Sequence, residues 1–245
     1  DRGPGKKLVP LVTARAQRWT CDWAQYTPPA AACPGITVFE DYPIDELAEY
    51  IDWTPFFSTW ELAGRFPAIL DDAVVGPQAR ELYRDARAML ARIIDERWLQ
   101  ARGVVGLWPA AGVGDDVEVE AGSGPVRLHF LRQQAEKPAD RADLCLADFI
   151  APKDSGVADW IGGFAVTAGL GIEPHLQRFE ADHDDYSSIL LKALADRLAE
   201  AFAERLHQRV RREIWGYAIE EELDNEALIA ERYRGIRPAP GYPAC

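Results

Sequence analysis

The apolar positions of the chain change rhythm three times. Ile44, Leu47 and Ile51 follow Pro43 at helical spacing, with Asp45 and Glu46 in the first turn, where the helix dipole favours acids. A short helix is predicted over 44–51, with Asp52 at its end. Gly76-Pro77 then opens a longer pattern in which Leu82, Ala86, Met89, Leu90, Ile93 and Ile94 recur at steps of three and four. That predicts a helix over 77–102, stopped by Gly103. Past Gly103 the spacing shortens, and Val104–Trp108, Val117–Glu120 and Val126–Leu131 alternate in part between Gly-rich turns. Three strands of an antiparallel meander account for them. Leu144–Ile150 and Trp160–Thr167 read as two more, the latter carrying paired glycines that suit a bulge or a close backbone approach. The sheet then has about five strands. From Pro174 to Gly216 the pattern is helical again: one helix to about Asp182, and a longer one from about Asp185 that buries Leu190, Leu194, Leu198, Ala201, Phe202 and Leu206. Asp224 is a suitable N-cap for a last helix over 225–234, which Gly235 ends. Helices flank a block of strands without βαβα alternation, so the fold class is α+β.

Residues 1–35 have no sustained period; rich in Pro and Ala, they carry Trp19, Trp23 and Tyr26 and read as an arm or linker that docks by its aromatic anchors. Residues 36–245 contain no repeat and no internal linker, and read as one domain. With 27 basic against 40 acidic residues, the net charge of −13 argues against a general nucleic-acid binder, whose phosphate contacts need a basic face. Hydrophobic residues at 48% and charged residues at 27% suit a folded core. No run of 18 apolar residues occurs, and Asp1–Lys7 lacks a secretory pattern, so the expectation is a soluble, cytoplasmic protein without membrane contact. Cys21, Cys33, Cys145 and Cys245 form no CxxC pair and read as reduced thiols. The segment after Gly241 has no stop signal of its own, so the chain reads as cut from something longer.

Several clusters could carry chemistry. Gly112-Val-Gly114 is followed by Asp115-Asp116 and another strand, not by a helix N-terminus, and reads as a turn rather than a nucleotide loop. Glu180-Ala-Asp-His-Asp-Asp185 is dense in acids, but consecutive helical residues diverge, which favours a solvated helix start over a hard-metal site. His129, His175 and His207 have no partner at ligand spacing and read as surface or sheet residues. Arg205, Arg209, Arg211 and Arg212 end the long helix; compensation of its dipole and pairing with Glu204 and Glu213 is favoured over a docking patch for an acidic partner. In Asp52-Trp-Thr-Pro-Phe-Phe-Ser-Thr-Trp60 the aromatics either fill the core while Asp52 caps the next helix, or wall a cleft whose carboxylate meets a ligand cation. Both readings stay open. Arg237-Pro-Ala-Pro-Gly-Tyr-Pro-Ala-Cys245 is stiffened by three prolines; it is either a strap over the sheet edge or an extended segment whose arginine grips a carboxylate with two bonds.

Taken together, Tyr50-Ile-Asp-Trp-Thr-Pro-Phe-Phe57, Arg102-Gly-Val-Val-Gly106, Val113-Gly-Asp-Asp116, Leu144-Cys-Leu-Ala-Asp-Phe149, His183-Asp-Asp-Tyr186, the run Lys192–Glu204 and Gly235–Cys245 resemble, in this order, the C-terminal activation domain of cobalamin-dependent methionine synthases. The resemblance covers essentially the whole chain. It implies a C-shaped α+β domain around a twisted antiparallel sheet, unlike Rossmann methyltransferases, that binds S-adenosylmethionine. It also implies a role in a methyltransferase of methionine biosynthesis. When the cobalt cofactor lapses to inactive cob(II)alamin, an electron from a flavodoxin or flavoprotein reductase and a methyl group from S-adenosylmethionine restore methylcobalamin, this domain supplying the methyl donor without being catalytic alone. By motif, Asp52, Glu200, Arg237, Pro238, Ala239, Gly241 and Tyr242 match the family's donor site. Arg237 suits the donor's carboxylate, and Asp52 or Glu200 its ammonium and sulfonium. Methyl transfer needs alignment more than proton transfer, so no catalytic base and no metal ligand is expected. No Asp-x-His-x-x-Gly occurs, which implies that cobalamin is brought by a neighbouring domain, and the family continues beyond Cys245 with a segment that closes the adenosine site. The rival reading is a non-catalytic module that docks a reductase or the cobalamin domain.

Overall fold

One long strand organises the molecule. In the computed structural model, which describes residues 7–122, 124–138 and 140–239, the order is α1 (Leu11–Ala16), β1 (Gly35–Tyr42), α2 (Ile44–Ala48), α3 (Trp53–Thr59), α4 (Gly76–Asp95), β2 (Gln100–Val113), β3 (Asp116–Ala121), β4 (Gly124–His129), β5 (Asp159–Leu170), α5 (Glu173–Ala181), α6 (Asp185–Arg209) and α7 (Asn225–Ile229). β2 pairs antiparallel with β5 along one edge, from Gln100 to Ala110. Its other edge is shared, with β1 against Ala101–Leu107 and β3 against Ala110–Val113. β4 closes the meander on β3. The predicted α+β class with an antiparallel sheet flanked by helices is the observed one.

Alternation along β2 decides where the helices lie. Ala101, Val105 and Leu107 are buried on one face, where α6 packs through Leu191, Leu194, Leu198 and Phe202, and α4 adds Leu82, Ala86 and Ile93 to the same core. The last residues of β2 pass into a second, smaller core of Ala110, Val117, Val119, Cys145 and Ala147. Gly103 lies on the α6 side, and a Cβ there would come within 2.7 Å of Phe202 Cζ, so only glycine lets the helix approach the strand.

Four elements differ from the sequence expectation. The helix over 77–102 ends at Asp95: Arg97 turns the backbone to φ 52°, and Trp98 and Leu99 enter the core as the chain swings into β2. Leu144–Ile150 is not a strand. Leu146–Phe149 forms one 3-10 turn, because the Asp148 carboxylate accepts the Cys145 N–H at 3.0 Å and so competes with ladder pairing. The fifth strand is β1 instead. The last helix ends at Ile229 rather than 234, before Glu231 adopts φ 53°. Gly112 and Val113 end β2, and Gly114, at φ 68°, opens the β2–β3 turn with Asp115. Residues 7–34 lie against the rest: Lys7 to Val9 bond the backbone at Gln134–Glu136, Trp19 stacks on Phe149 at 5.0 Å, and Trp215 Nε1 donates to the Pro29 carbonyl. Among the described residues no helix is long and apolar enough to cross a membrane.

Because the Phe202 ring is fully buried and cannot swing aside, Gly103→Ala overpacks the α6–β2 contact. A loss of about 1–3 kcal/mol is expected, read as a lower urea midpoint at unchanged slope.

Candidate functional site

Steps of four, three and four along α6 and its C-terminal extension bring Glu200, Glu204, His207 and Arg211 to one side of the helix. The last three are buried, Arg211 completely, which is a heavy concentration of charge for a helix whose remaining buried positions are largely apolar. Each has a specific partner. Arg211 Nε and Nη2 donate to both oxygens of Glu221, at 2.9 and 2.6 Å, and its Nη1 donates to His207 Nδ1 at 2.7 Å. An arginine can only donate, so Nδ1 must accept and the imidazole is neutral with its proton on Nε2. The Tyr233 ring lies 4.2 Å from the Arg211 guanidinium carbon and edge-on to His207. Glu204 Oε2 accepts Arg237 Nη2 at 2.9 Å. The helix itself widens into a π turn over Val210–Ile214, where Arg211 sits.

These contacts lay the segment after α7 along α6 in the opposite direction. Tyr233 sits over His207 and Arg211, and the Arg237 side chain reaches Glu204 one turn back. Glu200 is exposed, and Cβ atoms one helical turn apart are separated by about 5–6 Å. The strap's other side bounds a groove of about 340 Å³. Tyr233, Ile236, Arg237 and Pro238 form one wall with Glu231, and Phe130, Leu144, Leu146 and Phe149 the other. That second wall is braced from behind. Arg132, nearly inaccessible, donates to Asp148 at 2.8 and 2.6 Å, to Asp115 at 2.9 Å and to the Asp143 carbonyl at 2.7 Å. Cys145 also lines the groove, and burial pushes its thiol pKa up.

The site residues expected from sequence therefore part company. Arg237 and Pro238 line the groove, and Ala239 continues the strap, exposed. Glu200 stands beyond the strap on α6. Asp52 does not line the groove: its Oδ1 accepts the Thr54 N–H at 2.9 Å and caps α3, which is the core-filling alternative for this segment, with Trp53, Phe56 and Phe57 buried behind it. The neighbouring Tyr50 hydroxyl donates to Gln208 Oε1 at 2.9 Å, so Asp52 flanks α6 two residues from that contact. Gly241 and Tyr242 lie outside the described residues. Of the arginine cluster, Arg209 pairs with Glu213 as expected, but Arg205 reaches Glu46 and Arg211 reaches Glu221, while Glu204 takes Arg237 instead. His207 is buried in a helix rather than at the surface or in the sheet; His129 bonds Asp116 at 3.0 Å and His175 stacks on Trp98. Asp184 caps α6 through the Ser187 N–H, and among the described residues no three His, Cys, Asp or Glu side chains converge to hold a metal. Glu221, Tyr233 and Glu231 were not expected, and Glu204 was expected only as a partner for the arginines that end the helix; the signal available was the run of ionisable residues interrupting the apolar stripe of α6.

Burial first, and then the Arg211 and Arg237 cations, push the His207 pKa down to about 3. The unfolded chain takes up a proton on this histidine as pH falls through about 6.5, and the folded chain does not. The contribution of His207 is thus intact above that pH and drains on acidification, by up to about 1.4 kcal/mol per pH unit. Glu204 acts in the opposite sense: burial raises its pKa, so the folded state takes up its proton first. Chemical denaturation of the parent and of His207→Gln at pH 7.5 and 5.5 separates the two, the expected outcome being a clearly smaller acid loss in the variant.

Two comparisons bear on this geometry. Residues 43–245 match the family described as "Vitamin B12 dependent methionine synthase, activation domain". The structure is similar to the crystal structure of the MetH reactivation domain bound to AdoHcy, with 55% sequence identity and a TM-score of 0.92 over 97% of this chain and 74% of that one. A match over that span, with the Arg237 strap inside it, makes this chain a member of the activation-domain family of vitamin B12-dependent methionine synthases.

Proposed function

We propose that this chain binds S-adenosylmethionine against the Arg237 strap and presents its methyl group to cobalamin carried by a neighbouring domain, so that the inactive cofactor is reductively methylated. The observation that carries the reading is a guanidinium fixed by Glu204 at the wall of a groove of about 340 Å³, a volume within the range of small-molecule sites. The neighbouring solved structure is described as bound to AdoHcy, the species that remains when S-adenosylmethionine gives up its methyl group.

The donor set fits such a ligand. Arg237 offers hydrogen-bond donors to a carboxylate in a planar fork, and Pro238 and Ala239 supply proline-stiffened backbone that needs little ordering, with Gly241 and Tyr242 joining them by motif. Glu200, exposed on α6, and Asp52, at the N-terminus of α3, lie outside the groove lining and are taken from the family motif as the acids for the ammonium and the sulfonium. Phe130, Phe149 and Tyr233 give flat apolar surface for a purine. Transfer of a methyl cation from sulfur moves no proton, and among the described residues of the groove no nucleophile is paired with a base. Cys145 is the one thiol among those residues, and burial keeps it protonated at neutral pH, so it does not compete for an electrophilic methyl. Cobalamin, when docked, supplies the nucleophilic cobalt; the residues here bind, orient and exclude competing nucleophiles. The electron would come from a flavodoxin or flavoprotein reductase.

Arg237→Ala is expected to weaken S-adenosylmethionine binding by about 1.5–3 kcal/mol, or roughly 10- to 150-fold in Kd, by isothermal titration calorimetry of the full chain. Unchanged affinity would remove Arg237 from the site, and the absence of saturable binding to the parent chain would leave the docking-module reading in its place.

A further inference from the structure

Glu204 is a costly residue where it stands. The residue is only 8% exposed, only Oε2 is bonded, and Oε1 has no hydrogen-bond partner among the described residues. An acid buried for stability alone gathers several donors, because each unsatisfied oxygen forfeits hydration that nothing replaces. The potential donors nearby are engaged elsewhere. Arg211 is committed to Glu221 and to His207 Nδ1. What Glu204 does is hold one terminal nitrogen of Arg237 at the groove wall.

We propose that Glu204 is the positioning residue for Arg237: by fixing Nη2 it sets the plane of the guanidinium, so that the remaining donors meet the ligand's carboxylate without first being ordered. This rests on the reading of Arg237 given above and adds to it a residue that touches no ligand. A long side chain immobilised in advance spares the complex the cost of freezing it on binding. Glu204 is suited to this in a way that an exposed acid is not, since its own rotamer is locked by the packing of α6 and the charge attraction is little screened at that depth.

A purely structural role would affect every ligand alike, whereas a role exerted through Arg237 touches only ligands that carry the carboxylate. The test is therefore titration of the full chain and its Glu204→Gln and Glu204→Asp variants with two probes, S-adenosylhomocysteine and 5′-deoxy-5′-methylthioadenosine, the second of which lacks the amino-acid end. The expected result is a loss of about 2- to 10-fold for S-adenosylhomocysteine in Glu204→Gln, a smaller loss in Glu204→Asp, which keeps the charge, and unchanged affinity for methylthioadenosine in both. Arg237→Ala in the same series should show the same selectivity, and the double variant Glu204→Gln/Arg237→Ala should bind no worse than Arg237→Ala alone. Equal weakening of the two probes, no change in either, or failure of both variants to fold would overturn the proposal. If Arg237→Ala is selective and Glu204→Gln is not, this inference falls while the reading of Arg237 stands; if Arg237→Ala has no effect on either probe, that reading falls with it.

Discussion

The buried Arg211 clamp is the constraint from which the rest of the site follows. A guanidinium with no solvent exposure must have its donors matched, and it is matched by three elements at once: Glu221 from the segment after the π turn, His207 from the preceding turn of α6, and the face of Tyr233 from the segment beyond α7. Removing any one leaves charge in a low-dielectric interior. That necessity brings the C-terminal segment onto α6 and fixes its direction, and Arg237 reaches Glu204 as a result.

Two kinds of rigidity meet at the groove. The strap wall is held by ionic contacts to a helix, the facing wall by Arg132, whose hydrogen bonds to Asp148, Asp115 and the Asp143 carbonyl convert an irregular stretch of chain into a fixed surface. Irregular backbone is where ligand sites are commonly built, and here its geometry is set by buried arginines rather than by sheet or helix. The same arrangement explains why a carboxylate-binding arginine can sit beside so many acids without being neutralised by all of them: Glu221 is occupied by Arg211, and Glu204 uses a single nitrogen of Arg237.

Periodicity made the helices and the central strands legible because burial of one face is what periodicity encodes. The stripe Leu190–Leu194–Leu198–Phe202 is the buried face of α6, and Val104–Trp108 and Trp160–Thr167 lie in β2 and β5. It failed where a side chain overrode the backbone pattern. Leu144–Ile150 has strand composition, but Asp148 folds back to satisfy Cys145 and Arg132, which no alternation of apolar residues can signal. β1 was hidden because its edge position leaves Ile36 and Val38 exposed, so its apolar residues point away from the core a sequence reading looks for. Of the site, Arg237 was found through its motif and through the fit of a guanidinium to a carboxylate. The pairing of Glu204 with Arg237, 33 residues on, and the contact of Tyr233 with Arg211 were not, because they form only through the antiparallel run of the strap along α6; Glu221 lies 10 residues from Arg211 and meets it across the turn that follows α6.

β2 contributes Val105 and Leu107 to the larger core and Ala110 to the smaller one within a single unbroken strand. Neither core can melt without stripping the other of its pairing edge, so two apolar clusters that would elsewhere define separate folding units are bound into one cooperative transition. The groove wall that carries Phe130 and Cys145 belongs to the smaller of these cores and so holds for as long as the whole molecule does.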